Sequence, residues 1–232
     1  WEKQTAKDRL AAIRAVGVRG LAGDVFLEAE PIGPRVADLL TMPSVRRKAL
    51  GLRLNLADLA PGQYTIEVEA QTQGKTARVW PAHPFDATKL QEGRLELGLP
   101  WPEPHLWDID RPAFYDLVVR LRSADGKLLD ESAPVAFGFR EFWIEGRQVF
   151  LNGRPFHIRA FDFTLPSSSG GRSSREACEW ALRRYRDLGM NFAYLSTYNL
   201  DWGQLRYFDG VMQAADSLGY ALSVCMPHPR DI

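Results

Sequence analysis

Few side chains in this chain are equipped for chemistry, and their spacing narrows them further. Paired carboxyl groups do acid–base work when one is placed to give a proton and the other to take one. Glu141, Glu145, Glu176 and Glu179 are available by type. None of them stands at the carboxyl end of a strand in the parallel pattern traced below. Wound α/β sheets present their catalytic and binding groups at those ends, so no catalytic residue is assigned within the chain. The residues that do fall there are Asp162, the loop 164–173, Ser196 to Asn199, and Cys225 to His228. Asp162 can accept hydrogen bonds from ligand hydroxyls or, as a structural carboxylate, cap its own loop. Tyr198 offers either a packing ring or a stacking platform. His228 lies between two prolines and reads as a solvated loop histidine.

Metal and cofactor chemistry find no support. His83, His105, His157 and His228 are scattered, and Cys178 and Cys225 match no zinc spacing. Gly170-Gly171 lacks the Lys-Ser/Thr partner of a phosphate loop. No metal and no cofactor are expected. Lys plus Arg and Asp plus Glu number 29 each, so charge gives no case for a nucleic-acid or anionic-membrane partner. The basic run Arg46-Arg47-Lys48 reads as a solvated strand end. With 45% hydrophobic residues the chain can bury a core, but no apolar run approaches the roughly 20 residues that span a bilayer. The N-terminus, Trp1 to Leu10, has neither an initiator Met nor the apolar centre of a signal peptide. If the chain is an excerpt, such a peptide would have been lost with whatever preceded it, and the compartment stays open.

Two element patterns follow each other along the chain. Residues 34–140 read as all-β. Ala49 to Leu56 and Tyr64 to Ala70 alternate apolar and polar residues with period two, Gly93 to Leu99 does the same, and Phe114 to Arg122 and Lys127 to Ser132 follow. Ala60-Pro-Gly-Gln63 and Ala124-Asp-Gly126 supply turns. Pro100 to Trp107 carries too many prolines for a central strand. This spacing suits an immunoglobulin-like sandwich, without the Cys–Trp–Cys signature of antibody domains. Val149-Phe-Leu151 and Phe156-His-Ile158 flank Asn152-Gly153, a hairpin turn. From Phe156 the order becomes strand (156–163), helix, strand (191–196), helix, strand (220–226). The first helix is opened by a capping box, Ser173 to Glu176, and buries Ala177, Ala181, Leu182, Tyr185 and Leu188 up to Gly189. The second uses Leu205, Phe208, Val211, Met212, Ala215 and Leu218 up to Gly219. Such alternation implies βαβ crossovers and a parallel sheet. Three strands do not close a barrel that needs eight, so Phe192, Leu195 and Val224 are expected to be poorly covered.

Several phrases then carry a resemblance. Phe137-Gly-Phe-Arg140, Leu151-Asn-Gly-Arg-Pro155 and Ile158-Arg-Ala160 resemble the junction in glycoside hydrolase family 2, which includes β-galactosidases, β-glucuronidases and β-mannosidases. Gly20 to Glu28, with its Val25 to Ala29 strand, is similar to the phrase that closes the family's jelly-roll domain. Pro104 to Leu117 is similar to its Leu-Trp…Leu-Tyr phrase, in which Trp107 and Tyr115 would bury their rings and Pro112 fix the turn. The fold implied is multi-domain, β plus α/β. Residues 1–33 would be the tail of a jelly-roll sugar-binding-like domain, 34–140 the immunoglobulin-like β-sandwich, and 141–232 the first βα units of a TIM (β/α)8 barrel. The activity implied is retaining hydrolysis of β-linked O-glycosidic bonds by two carboxylates that lie outside this chain, which alone would be inactive. The substrate positions implied are Asp162, Thr197 and Tyr198, and the partner a carbohydrate; a homo-oligomer of the full-length protein stays open. Against the family pattern, Tyr194, Thr197 and Asn199 replace Arg, His and Pro, and Cys225 replaces a Glu. Those departures motivate the alternative of a catalytically silent carbohydrate-binding or scaffold member.

Overall fold

The computed structural model describes residues 32–163, 175–195 and 206–224. Two antiparallel sheets form the first unit. One contains β1 (Arg35–Ser44), β2 (Ala49–Ala57) and β6 (Arg94–Pro100), with β2 in the centre. The other is built on β3 (Gln63–Thr72) and β7 (Tyr115–Ser123), which pair from Tyr64↔Ser123 to Gln71↔Asp116. Each edge of that second sheet is shared by two short strands. β4 (Lys75–Val79) and β5 (His83–Asp86) both pair with β3, while β8 (Leu128–Glu131) and β9 (Val135–Phe137) both pair with β7. Pro81 and Pro134, which lack a ladder donor, fall in the two gaps.

Period-two alternation delivers the core. Leu50, Leu52, Leu54 and Leu56 of β2 point to the same face as Leu97 and Leu99 of β6, and meet Tyr64, Ile66, Val68 and Ala70 of β3 and Leu117, Val119 and Leu121 of β7. Each leucine so buried contributes about 2 kcal/mol by area removed from water. Trp80, Trp101, Tyr115 and Phe139 close one end as a chain of ring contacts 4.6–5.5 Å apart. Trp107 and Tyr115 are buried as expected, 1% and 3% exposed.

The hairpin at Asn152-Gly153 is present, with φ of 52° and 85° at its two central residues. It belongs to a small sheet of β10 (Phe142–Glu145), β11 (Gln148–Leu151) and β12 (Arg154–Pro155). The expected strand 156–163 is shorter than the sequence suggested. Only β13 (Ala160–Asp162) is extended into the next sheet. Backbone groups of His157 and Arg159 bond instead to the Asn191 side chain, which turns the chain from hairpin to sheet.

The last unit is β13, α1 (Arg175–Asp187), β14 (Phe192–Leu195), α2 (Arg206–Leu218) and β15 (Ala221–Val224), with the three strands parallel in the order β13-β14-β15. Both helices end on glycines at positive φ, Gly189 at 83° and Gly219 at 77°. Met190 N–H donates to Tyr185 C=O and Tyr220 N–H to Ala215 C=O, the six-to-one bond of a Schellman cap. Three burial expectations need correction, the first being Met212 of α2, which is 41% exposed. Leu188 lies beyond the last turn of α1 and is 73% exposed, while Cys178 takes the buried place. Leu195 is fully buried against the helices, Val224 packs on the same cluster, and Phe192 packs with Trp107, Leu151 and Phe156. The Val25 to Ala29 strand, the capping box at Ser173 and Leu205 lie outside the described residues. Among the described residues no helix is long and apolar enough to cross a membrane.

Candidate substrate face and its support

A parallel strand sends alternate residues to opposite faces. On β14, Ala193 and Leu195 turn to the helices and are fully buried with Leu182, Val211, Ala214 and Ala215. The intervening residues therefore point the other way. The register sets Asp162 beside Tyr194 and Tyr194 beside Ser223. Strand spacing of about 4.8 Å makes this a row roughly 10 Å long. Asp162 is exposed, Tyr194 is 36% exposed and Ser223 half-buried. One carboxylate, one phenol and one hydroxyl thus share a solvent-open face at the carboxyl ends of three parallel strands, a chemistry suited to polyhydroxyl ligands by hydrogen bonding. Asp162 falls where the sequence put it. Thr197 and Tyr198, the loop 164–173 and the segment from Cys225 to His228 lie outside the described residues. The sequence marks Tyr194 only as a departure from a family phrase and does not single out Ser223. Their place in the row follows from strand register, which no local motif encodes.

The other acidic candidates are engaged elsewhere. Glu141 accepts from Arg46 Nε at 2.7 Å, from Arg46 N–H at 2.9 Å and from Ser44 Oγ at 3.2 Å. Burial pushes its carboxyl up, but those hydrogen bonds outweigh it and hold the group below the usual glutamate range. Glu179 lies between Arg175 and Arg183 on α1. Glu145 ends the exposed strand β10, and Glu176 sits in the first turn of α1. Among the described residues no group of three or more His, Cys, Asp or Glu is gathered to hold a metal. A cleft of about 510 Å³ lies on the sandwich between Thr72, His105, Phe114 and Asp116. Its polar atoms largely serve each other: Thr72 Oγ1 donates to Phe114 C=O, and Tyr115 Oη accepts from His105 N–H.

The amino ends of the strands, by contrast, are braced. Asn191, 6% exposed, accepts from Arg159 N–H at 2.8 Å and donates to His157 C=O at 2.9 Å, tying β13 to β14. Its own C=O takes the Ala221 N–H, which ties in β15. Tyr220 is buried and donates to Leu182 C=O at 2.7 Å; burial raises its phenol to about 12. From the sandwich side, Trp107 Nε1 donates to Asp216 C=O at 2.9 Å. Arg140 lies 4.3 Å from the Trp107 ring centre and 2.7 Å from the Asp216 carboxylate.

Comparison with known proteins bears on both units. The model of glycosyl hydrolases family 2 matches residues 35–140. A family 2 member from Bacteroides cellulosilyticus superposes with a TM-score of 0.60 at 19% identity, covering 82% of this chain and 26% of that one. A β-galacturonidase from Eisenbergiella tayi bound to galacturonate gives 0.56 at 22%, with 82% and 33% covered. Bacteroides uniformis β-glucuronidase gives 0.56 at 22%, with 79% and 22% covered. The chain therefore spans between 22% and 33% of the length of these three structures. At such identities the superpositions establish likeness of fold, and residues 35–140 are similar to the sandwich of glycosyl hydrolases family 2, whose model they match.

Proposed function

We propose that the chain is part of a glycoside hydrolase that cleaves β-linked O-glycosidic bonds with retention of configuration. The observation that carries this is the order of parts. A family 2 sandwich runs through a hairpin into a β-α-β-α-β unit whose open face bears Asp162, Tyr194 and Ser223 at the strand ends. In this reading 1–33 is the tail of a jelly-roll domain, 34–140 an immunoglobulin-like sandwich and 141–232 the opening of a (β/α)8 barrel. Retaining hydrolysis needs two carboxyl groups about 5–5.5 Å apart, one nucleophile and one general acid/base. No glutamate of the described strand ends stands in such a pair, and in this reading both groups lie outside this chain. In this reading the chain contributes substrate contacts: Asp162 accepts from sugar hydroxyls, and Thr197 and Tyr198 are further substrate positions. Solved relatives named for β-glucuronidase and β-galacturonidase activity support a β-glycoside as substrate.

The test is a panel of aryl β-glycosides, neutral and uronic, offered to the full-length protein and to the 232-residue chain. Hydrolysis by the former with a retained anomer in the first product, and none by the latter, is expected. Release by the short chain would remove the carboxylates from their proposed place. The replacement of Arg, His and Glu at Tyr194, Thr197 and Cys225 favours a second reading, a silent carbohydrate-binding member. Oligosaccharide binding in calorimetry without release of any aryl group would select it.

A further inference from the structure

We infer that Trp107 and Arg140, on the sandwich, are positioning residues for the substrate face: they fix the turn that launches β15 and, through it, the row Asp162–Tyr194–Ser223. The proposal rests on that face as the binding surface, but its readout requires no turnover.

Trp107 is first made immobile by its own side of the seam. Its N–H donates to Phe139 C=O at 3.0 Å and its C=O accepts from Asn152 Nδ2 at 2.7 Å. Gly138 leaves no space behind the indole, since a Cβ there would lie 2.9 Å from Trp107 Cβ. The indole is 1% exposed, so a donor left unpaired there would be costly. It meets Asp216 C=O in the last turn of α2. That same carbonyl accepts the Gly219 N–H, so the tryptophan bonds to the helix cap itself. Arg140 covers the indole and holds the Asp216 carboxylate, adding charge to the contact from above. Arg186, from α1, donates to Leu218 C=O and Ile109 C=O, and the backbone of Gly219 lies directly against Ile109 C=O.

Beyond this point little can absorb a displacement. Tyr220 is buried and bonded at both its amide and its hydroxyl. β15 begins at the next residue, and Ser223 lies four residues, about 13 Å of extended chain, from Gly219. Its neighbour in register is Tyr194. Loosening the turn must therefore change the register or tilt of β15 and with it the surroundings of the Tyr194 ring.

The experiment labels the 232-residue chain with 3-fluorotyrosine, and Tyr194→Phe identifies the relevant resonance among seven. Arg140→Leu is compared with Arg53→Leu, which removes an exposed pair with Glu96 on the outer sandwich surface. The Tyr194 resonance is expected to shift by more than its linewidth, or to split, in Arg140→Leu alone, and to return towards its original position in Arg140→Lys. Trp107→Phe, which keeps an aromatic ring of smaller size and deletes the indole N–H, supplies the same readout if Arg140→Leu does not fold. A folded variant with an unmoved Tyr194 resonance overturns the proposal and leaves the contact as adhesive between units; so does an equal shift in the Arg53 control. The glycoside panel decides the hydrolase reading separately, because neither result depends on the other.

Discussion

Gly189 and Gly219 form a matched pair that allows the contact between the two units to be weighed. Each ends a helix with the same six-to-one bond and nearly the same backbone, φ of 83° and 77°. Alanine in either place bears the left-handed strain, about 1–2 kcal/mol. Beyond that they differ. A Cβ on Gly189 meets nothing within 4 Å, whereas one on Gly219 would lie 1.9 Å from Ile109 O, a backbone atom of the sandwich. Backbone cannot swing aside as a side chain can, so the second variant adds an overpacking cost of about 1–3 kcal/mol. Gly219→Ala should then lose roughly 2–5 kcal/mol and Gly189→Ala roughly 1–2. With a urea dependence of about 2 kcal/mol per molar, the midpoints of the two variants should differ by about 1 M. Urea titrations followed by far-ultraviolet circular dichroism and by tryptophan emission measure this. Equal midpoints would refute the argument, because the Ile109 carbonyl would then retreat at no cost and the seam would be soft.

Further outcomes follow from burial and charge. Leu121→Ala, at a fully buried position of β7, should cost about 2–5 kcal/mol, whereas Leu40→Ala, 47% exposed on β1, should stay within about 0.5 kcal/mol in the same titration. Glu141 has a folded pKa below its unfolded value near 4.3, so its stabilisation is present above that pH and is lost as pH falls through the folded value. The stability gap between wild type and Glu141→Gln should therefore be flat near neutrality and close in acid; a gap that persists at the lowest pH refutes the assignment. Burial, with a smaller contribution from Glu176, raises the Cys178 thiol to about 11. Iodoacetamide at pH 8 should leave the Cys178 peptide unmodified in mass spectra of native protein and label it in urea.

The alternating segments were legible because each is a local statement: Leu50, Leu52, Leu54 and Leu56 declare one buried face without reference to any other strand. The same holds for Asn152-Gly153 and for the helix-ending glycines, whose conformations are set by their own residues. β4, β5 and β9 were not resolved as separate strands within the all-β region because they are short edges whose burial depends on β3 and β7. The apolar pattern from Phe156 overstates the first parallel strand because Asn191, more than thirty residues away in sequence, captures the backbone of His157 and Arg159. At the candidate site, Asp162 could be found from its place at the end of an apolar run. Tyr194 and Ser223 could not, since their proximity to it exists only once three strands share a register. Leu188 carried the right period for a buried stripe but fell just past the helix end, where periodicity ceases to mean anything.

Asn191 has a consequence for how such a protein can change over generations. One residue ties all three strands together, by its side-chain amide to β13 and by its backbone carbonyl to β15, at the pole remote from Asp162 and Ser223. Mutational tolerance should therefore be lopsided, with little latitude around Asn191 and much more along the row Asp162–Tyr194–Ser223. A lineage can vary the side chains of the permissive pole while the rigid pole preserves the scaffold.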